Sequence, residues 1–320
     1  MTLYYDTADV QLHHGDALEV AQTLPDALAR TIVTSPPYFG LRDYGEDGQI
    51  GSESSLGLYV ERLVELFHEL RRLLTDDGTL WLNLGDSYAG AGYGNHDING
   101  DRWKLDAGLD RRSDRQQNLK RSLEADGVRA KNLIGVPWRV ALALQADGWI
   151  LRSEVIWHKP NPMPESVTDR PTKSHEHLFL LAKNPSYYYD AAAIAEDAEK
   201  GSAGSSFTTG KTAVHGHGRA STAERTEDGK RNKRDVWTVS TVSFPGSHFA
   251  VYPPELIRPC IRAGSEPGDI VLDPFSGSGT TGAVANFEGR RYVGIDLNSE
   301  YLDMSLKTRF QQPTLPWGAS

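Results

Sequence analysis

The sequence predicts an α/β fold built on a doubly wound, mostly parallel sheet. Short runs of apolar and β-branched residues alternate along the chain with longer segments whose apolar residues recur at helical spacing. A glycine-rich turn joins one predicted strand, residues 269–273, to a predicted helix, residues 280–288. Open parallel sheets bind their ligands at such turns, beyond the carboxyl ends of the strands.

The first part of the chain predicts three strands and one helix. Strands at residues 10–14 and 31–34 each stop at residues that interrupt extended structure, Gly15 and Pro36 respectively. A third strand, residues 79–84, follows an Asp-Asp-Gly turn. The helix before that turn has one apolar face, which consists of Tyr59, Leu63, Leu66, Phe67, Leu70 and Leu74.

The rest of the chain continues the alternation of strands and helices. A helix at residues 136–146 has Pro137 near its first turn, where proline is favoured. The remaining predicted elements are strands at 150–158, 177–182, 269–273 and 291–296 and helices at 253–263 and 280–288. Two polar stretches without periodicity interrupt the pattern, and we predict an insertion at about 86–131 and a loop-rich segment at 191–240.

Composition is typical of a globular protein without a membrane span. Hydrophobic residues make up 38% of the 320 residues, no apolar run reaches 18, and no secretory signal is visible, so we expect the cytoplasm. The single cysteine, Cys260, excludes an internal disulfide and is predicted to pack in a helix. The net charge of −9 argues mildly against a polyanionic partner, but residues 101–131 and 211–234 are locally basic.

The glycine turn, residues 273–282, predicts a site for an adenosine-containing cofactor. Its glycines allow a sharp turn and close approach of a ligand, and Asp296 at the end of the next strand can accept hydrogen bonds from ribose hydroxyls. The G-x-G-x-x-G pattern alone also suits an NAD-dependent oxidoreductase. Only 24 residues follow Asp296, too few for the second half of a dinucleotide-binding sheet, so the other strands must come from upstream.

A second turn, Ser35-Pro36-Pro37-Tyr38, follows the strand at 31–34 and predicts the chemistry. An exocyclic base amine is a poor nucleophile because its lone pair is delocalised into the ring. The Ser35 hydroxyl and the rigidly held Pro36 carbonyl could accept its two hydrogens and free that lone pair. Tyr38 could stack on a base that has left the duplex. This chemistry requires neither a metal nor a covalent nucleophile.

The two turns together resemble the amino-methyltransferases of restriction–modification systems. The match is to the permuted β class, in which the catalytic motif precedes the cofactor motif. This resemblance implies a Rossmann-like fold with seven strands, S-adenosylmethionine as cofactor and double-stranded DNA as substrate. It also implies residues 1–190 as the catalytic part, 191–240 as a target-recognition segment and 241–320 as the cofactor-binding part. A cognate restriction endonuclease would be a functional partner, and the chain would be a monomer or homodimer.

The resemblance also assigns residues to the site. Ser35, Pro36, Pro37 and Tyr38 are the expected catalytic residues. The expected cofactor contacts are Asp16, His248, Phe249, Ala250, Asp273, Pro274, Phe275, Ser276, Gly277, Gly279, Thr280, Thr281 and Asp296. The expected contacts to the target base are Trp157, His158 and Lys159. In the locally basic segment at 211–234, outside the resemblance, Arg231, Lys233 and Arg234 are the expected contacts to DNA.

Several alternatives stay open at this level. Serine at the first catalytic position resembles the cytosine-N4 subgroup, and aspartate is usual for adenine N6, but the division is not strict. Asp16 could be a turn carboxylate, Asp273 could hold the loop rather than the cofactor, and Trp157 could be core. Methylation of RNA or of a protein amide, and a binding module without turnover, are more distant alternatives.

Overall fold

The computed structural model describes residues 2–40, 49–89, 123–124, 126–197, 229–241 and 252–311. Its centre is a nine-stranded sheet, two strands wider than predicted. In spatial order the strands are β1 (Thr2–Asp6), β2 (Val10–His14), β11 (Arg291–Asp296), β10 (Ile270–Asp273), β3 (Ala29–Thr34), β4 (Leu74–Leu84), β6 (His175–Ala182), β5 (Ile150–His158) and β9 (Val236–Thr238). A separate pair joins β7 (Glu196–Asp197) to β8 (Lys230–Arg231).

The central strands of the sheet are parallel, as predicted. β2, β11, β10, β3 and β4 run in one direction, and β6 is antiparallel to both of its neighbours. The two strands beyond the predicted seven lie at the edges, where β1 pairs antiparallel with β2 and β9 pairs parallel with β5. The doubly wound α/β class therefore holds, and the strand count of seven was wrong.

Six α-helices have their bounds among the described residues, besides a 3-10 helix at Ala192–Ile194 and a π-helix at Leu306–Phe310. The six α-helices are α1 (Ala17–Ala21), α2 (Leu56–Leu73), α3 (Val136–Ala146), α4 (Pro254–Gly264), α5 (Thr280–Phe287) and α6 (Ser299–Ser305). Within the described ranges, no helix has both the length and the apolar character needed to cross a bilayer.

The helices cover the sheet on both faces, and the alternation of strand side chains decides which face each residue serves. Ile32 and Leu80 point into a cluster with the buried faces of α1, α2 and α3, whereas Val33 and Trp81 point into one with α4, α5 and α6. Cys260 belongs to the second cluster and is fully buried, which confirms its predicted packing role. The sheet is thus the middle layer of three.

The connections between strands diverge at the neighbouring pair β10 and β3, and this divergence determines where the site lies. β10 continues to β11 on one side, and β3 continues to β4 on the other, so the connections diverge from this pair of neighbouring parallel strands. Such a divergence opens a crevice at the carboxyl ends of the strands, which is where ligands bind in open α/β sheets.

Candidate active site

The two turns singled out in the sequence lie side by side, although 239 positions separate Thr34 from Asp273. The Ser-Pro-Pro-Tyr turn follows β3 and the glycine turn follows β10, its parallel neighbour. Thr34 Oγ1 donates a 2.6 Å hydrogen bond to Asp273 Oδ1, so the strand ends are joined directly. The predicted meeting of the two turns across one sheet is confirmed.

Asp273 holds the glycine turn together from inside. Its carboxylate is 1% exposed and accepts hydrogen bonds from Thr34 and from the Phe275 backbone N–H through Oδ1. Through Oδ2 it accepts from Thr281 at 2.7 Å and from the Tyr252 hydroxyl at 3.2 Å. Burial raises the pKa of Asp273. Of the two roles left open by the sequence, the structure favours the one in which Asp273 fixes the loop.

Only two residues of the turn between 273 and 280 are not buried: Phe275 and Gly277. A β-carbon on Gly277 would have a single neighbour within 4 Å, the Phe275 carbonyl oxygen at 3.9 Å, so this glycine borders open space. A β-carbon on Gly279 would instead lie 2.8 Å from the Ser305 side chain. The two glycines therefore serve different purposes, access at Gly277 and close packing at Gly279.

The other predicted cofactor contacts in this turn are directed into the protein. Ser276 Oγ accepts a 2.9 Å hydrogen bond from Tyr292, and Thr280 is buried at the start of α5 beside Ser278. Thr281 Oγ1 pairs with Asp273 and with the Tyr252 hydroxyl. Pro274 is also buried. These residues shape the turn, and their side chains face protein atoms.

Asp296 ends β11 next to the exposed part of the turn. Its Oδ2 accepts from the Gly277 N–H at 2.7 Å and its Oδ1 from the Asn298 N–H at 2.9 Å. The two backbone bonds fix the carboxylate plane. Burial raises the pKa of Asp296 to about 6, against the effect of both N–H groups. A half-buried carboxylate with lone pairs left over is suited to accept from vicinal hydroxyls.

Asp16 follows β2, the next strand along the same edge. Its Oδ1 caps α1 by accepting from the Leu18 and Glu19 N–H groups, while Oδ2 lies 3.8 Å from an Arg62 nitrogen. The Gly15 N–H donates to the Asp296 carbonyl oxygen at 3.0 Å, which ties the two strand ends together. Asp16 is thus a helix cap that lies beside Asp296.

The Ser-Pro-Pro-Tyr turn is held from two sides. The Tyr59 hydroxyl, on α2, donates to the Pro37 carbonyl oxygen at 3.0 Å, and Pro36 is buried. The Tyr38 ring packs on Gly85, where a β-carbon would approach Tyr38 Cε2 to 2.5 Å. The absence of a side chain at residue 85 therefore sets the position of the ring.

A polar network surrounds the Tyr38 hydroxyl, which donates to Glu176 Oε2 at 2.8 Å. Asn83, at the end of β4, donates from Nδ2 to the Tyr38 oxygen at 3.0 Å, to Glu176 Oε2 at 2.9 Å and toward Ser35 Oγ at 3.5 Å. Lys159 Nζ lies 2.5 Å from Glu176 Oε1. Ser35 Oγ lies 3.5 Å from the Tyr38 oxygen. Strands β3, β4, β5 and β6 thus place their polar side chains at one edge.

The charges and the burial in this network determine whether Glu176 and Tyr38 are ionised. Burial alone would raise the pKa of the Glu176 carboxyl, but the Lys159 ammonium and the hydrogen bonds from Lys159, Asn83 and Tyr38 outweigh burial and lower it. Burial, reinforced by the charge of Glu176, raises the pKa of Tyr38 well above its ordinary value. Glu176 is therefore an anion and Tyr38 a neutral hydroxyl at neutral pH.

The residues predicted to contact the target base or DNA lie in two places, at the end of β5 and near β8 and β9. Lys159 joins the network, and its ammonium lies 4.1 Å from the centroid of the Trp157 ring. Trp157 itself is 3% exposed and donates its indole N–H to the Val239 carbonyl oxygen, so the structure favours its core role. His158 Nδ1 lies 3.1 Å from Thr238 Oγ1.

The predicted basic contacts lie near β8 and β9. Arg231 and Arg234 both pair with Glu196, at 2.9 and 2.7 Å, and Lys233 Nζ lies 5.1 Å from the centroid of the Trp237 ring. The predicted cofactor residues His248, Phe249 and Ala250 lie outside the described residues, as does most of the insertion at 86–131.

Residue-level prediction missed Asn83, Tyr59 and Gly85. Asn83 is a buried amide in an otherwise apolar strand end, Leu82-Asn83-Leu84, directly beside β3. That combination is a usable signal, because a buried polar group requires a partner. Tyr59 was predicted only as part of the apolar face of α2, and its hydroxyl gave no sequence signal.

S-adenosylmethionine fits the residues at this edge. Open space at Gly277 admits a ligand close to the backbone, and the half-buried Asp296 offers oxygen acceptors at the end of the adjacent strand. The Ser-Pro-Pro-Tyr turn lies on the neighbouring strand, so a methyl donor bound here would face it. In the described part of the chain, no group of three or more His, Cys, Asp or Glu side chains could hold a metal.

Comparison with known proteins identifies the family. Residues 29–307 match the family N6_N4_Mtase, described as DNA methylase. The chain is 48% identical over 295 residues to the Type II methyltransferase M.Cfr9I of Citrobacter freundii, covering 92% of this chain and 86% of that protein. It is 46% identical over 291 residues to the Type II methyltransferase M.SmaI of Serratia marcescens, covering 91% and 87%.

Solved structures share the fold. The PvuII DNA methyltransferase, named as cytosine-N4-specific, aligns with a TM-score of 0.64 and 19% identity over 98% of this chain and 90% of its own. A Thermus thermophilus protein assigned as a DNA modification methylase, in complex with S-adenosylmethionine, aligns with a TM-score of 0.54 and 20% identity over 95% of each chain. This chain belongs to the N6_N4_Mtase family and is a DNA methyltransferase of the Type II restriction–modification kind, with S-adenosylmethionine as its cofactor.

Proposed function

We propose that the enzyme methylates the exocyclic N4 of cytosine within a short specific sequence of double-stranded DNA. The observation that carries this proposal is Ser35, which follows the strand beside the cofactor turn and has a hydroxyl group. A carboxylate at this position would suit adenine N6. The PvuII enzyme, named as cytosine-N4-specific, shares the fold and supports the same choice. A cognate endonuclease would be its functional partner.

Ser35 and Pro36 prepare the amine. Oγ of Ser35 and the carbonyl oxygen of Pro36 accept its two N–H hydrogens, which favours a pyramidal nitrogen with an available lone pair. The Tyr59 hydroxyl and the two prolines make the turn rigid, so the acceptors are in place before the base arrives. Alignment of amine and methyl donor in one site can remove about 7–11 kcal/mol of the barrier.

Asp296, Phe275 and Gly277 hold the cofactor. The Asp296 carboxylate would accept from the ribose hydroxyls, Phe275 would pack on the adenosine, and Gly277 would allow the backbone to approach the cofactor. Asp16 lies beside Asp296 and would accept from the adenine amine through Oδ2. When bound, S-adenosylmethionine supplies a methyl group on a positively charged sulfur. His248, Phe249 and Ala250 remain proposed contacts.

The target base leaves the duplex to reach this edge of the sheet. Extrusion costs a few kcal/mol, and stacking of the base on the Tyr38 ring returns about 1–3 kcal/mol. Gly85 packs against that ring. Lys159 and His158 line the approach at the end of β5, and Arg231, Lys233 and Arg234 contact the phosphates. Trp157 acts through Lys159, which lies over its ring.

The modified nucleoside decides between cytosine N4 and adenine N6. Duplex plasmid DNA is incubated with methyl-tritiated S-adenosylmethionine, digested to nucleosides and analysed by mass spectrometry. We expect the label in N4-methylcytosine. Label in N6-methyladenine alone would overturn the cytosine assignment, and equal labelling of RNA and DNA would overturn duplex DNA as the substrate.

A further inference from the structure

A chain of hydroxyl groups connects Ser35 to a carboxylate on another strand. Ser35 Oγ donates toward the Tyr38 oxygen at 3.5 Å, and the Tyr38 hydroxyl donates to Glu176 Oε2 at 2.8 Å. The first link is at the long limit for a hydrogen bond, and such links shorten when substrate binds. Both donated hydrogens point the same way, from the expected position of the amine toward Glu176.

Methylation of an amine releases one proton. The new N–CH3 bond replaces the S–CH3 bond of the sulfonium, and the nitrogen becomes positively charged until one of its N–H bonds breaks. Ser35 Oγ lies against that hydrogen, but a serine hydroxyl is not a base that can keep the proton. The proton therefore needs an acceptor beyond Ser35.

We propose that Ser35, Tyr38 and Glu176 form a proton relay that ends on the Glu176 carboxylate. As the amine proton moves to Ser35 Oγ, the Ser35 proton moves to the Tyr38 oxygen and the Tyr38 proton moves to Glu176 Oε2. Serine and tyrosine each gain and lose one proton and end unchanged. Glu176 becomes neutral and returns its proton to water after the product leaves. The relay rests on the proposed function only in requiring an exocyclic amine as acceptor of the methyl group.

Asn83 sets the direction of the relay. Its Nδ2 carries two hydrogens, and its nearest acceptors are Glu176 Oε2 at 2.9 Å and the Tyr38 oxygen at 3.0 Å. An Asn83 hydrogen on a lone pair of Tyr38 turns the tyrosine hydrogen toward Glu176. Asn83 is 2% exposed at the end of β4, so this orientation is set before DNA binds. Asn83 is a positioning residue in this scheme.

Lys159 keeps Glu176, the terminal proton acceptor, in its ionised form. Its ammonium pairs with Glu176 Oε1, which leaves Oε2 to Tyr38 and Asn83. The ion pair favours the ionised carboxylate, the form that can take a proton. A weak base is sufficient here because the methylated amine cation is a strong acid. Ser35 is thus connected through Tyr38 to the Glu176 carboxylate. An aspartate at position 35 would supply a carboxylate directly.

The test uses single-turnover methyl transfer to duplex DNA at saturating enzyme and cofactor. Tyr38→Phe removes the hydroxyl and keeps the ring, while Glu176→Gln keeps the shape and removes the base. Positioned proton transfer contributes about 100-fold or more, so we expect each variant to lose at least that factor. The dissociation constant of S-adenosylmethionine should change by no more than about twofold. A Glu176→Ala variant should recover part of its rate when formate is added, because formate can occupy the space and accept the proton.

Matched controls are Tyr187→Phe and Glu69→Gln, which remove the same groups outside the site. The Tyr187 hydroxyl meets Arg152, and Glu69 pairs with Arg72 on α2. Both should transfer at the wild-type rate. Thermal denaturation identifies any variant that does not fold, and Tyr38→Phe leaves the Lys159–Glu176 pair intact.

Wild-type rates in folded Tyr38→Phe or Glu176→Gln would overturn the relay. Failure of formate to raise the Glu176→Ala rate would also overturn it, because a carboxylate that only positions its neighbours gains nothing from a soluble base. The modified nucleoside tests the proposed function separately. N6-methyladenine from the wild-type enzyme would refute cytosine and leave the relay test unchanged.

Discussion

At the residue scale, the site depends on positions without a side chain as much as on reactive groups. Tyr38 brings its ring to the expected position of the base and its hydroxyl to Glu176, and both placements require that residue 85 have no side chain. Proline at two successive positions predicts a rigid turn from sequence alone. The contacts of the turn with Gly85 and Tyr59 are long-range, so no local pattern predicts them, whereas Asn83 between two leucines is a local signal.

Gly85→Ala should reduce catalysis without reducing cofactor binding. The new β-carbon would meet Tyr38 Cε2 at 2.5 Å, so the ring must move away from its position. Misplacement of a reacting group by about 1 Å can cost about 100-fold in rate. Single-turnover kinetics and calorimetric titration with S-adenosylmethionine measure the two effects. Gly57→Ala is the control, because its β-carbon would have only Ser55 Oγ nearby, at 3.9 Å. An unchanged rate in Gly85→Ala would show that the ring position does not matter.

Affinity for S-adenosylmethionine should fall as the pH falls below about 6. Burial raises the pKa of Asp296 to about 6. The hydrogen bonds proposed from the ribose hydroxyls need its ionised form. Binding then lowers that pKa, so below 6 a proton must leave before the cofactor binds and the dissociation constant rises by up to about tenfold per pH unit. Above 6 the affinity should be flat. Asp296→Asn should bind weakly with no such dependence, and an identical pH profile in this variant would refute the assignment.

At the element scale, different glycines in and after the β10 turn permit close packing and leave space for the cofactor. α5 approaches β11 so closely that a β-carbon on Gly282 would overlap the Tyr292 ring, and one on Gly279 would overlap Ser305. Gly277 faces open space. The sequence predicted a cofactor role for both Gly277 and Gly279, because a glycine pattern does not show which positions face the ligand.

Substitution of these glycines should separate stability from affinity. Gly282→Ala overpacks α5 against Tyr292 and should cost about 1–3 kcal/mol of folding stability. Gly277→Ala adds only the strain of its positive φ of 49°, about 1 kcal/mol, but places a methyl group in the space for the cofactor. Thermal denaturation and cofactor titration measure both variants. Greater loss of stability in Gly277→Ala than in Gly282→Ala would contradict this division.

The sequence predicted the inner elements better than the outer ones. Strands β2, β3, β10 and β11 and helix α2 have strong apolar patterns because they are buried on one or both faces. β1 and β9 lie at the sheet edges, where burial is partial and the pattern weak. β4 begins at Leu74, five residues before the predicted start, because it continues through an Asp-Asp-Gly sequence beside a bulge in its pairing with β3.

At the scale of the whole molecule, the order of strands creates the active site. Motifs from opposite ends of the chain meet because β3 and β10 are neighbours, and the Thr34–Asp273 hydrogen bond joins them. Resemblance predicted this permuted order. The strand count could not be predicted, since edge strands are added without changing the central crossover.

The most direct test of the central claim, that Ser35 acts on a base amine opposite a bound methyl donor, is the single-turnover rate of Ser35→Ala. We expect a loss of at least about 100-fold at saturating DNA and S-adenosylmethionine, with cofactor affinity within about twofold of wild type. The cofactor affinity should persist because its proposed contacts lie at the ends of β2, β10 and β11 and do not include Ser35. Methyl transfer by Ser35→Ala at the wild-type rate would contradict the claim.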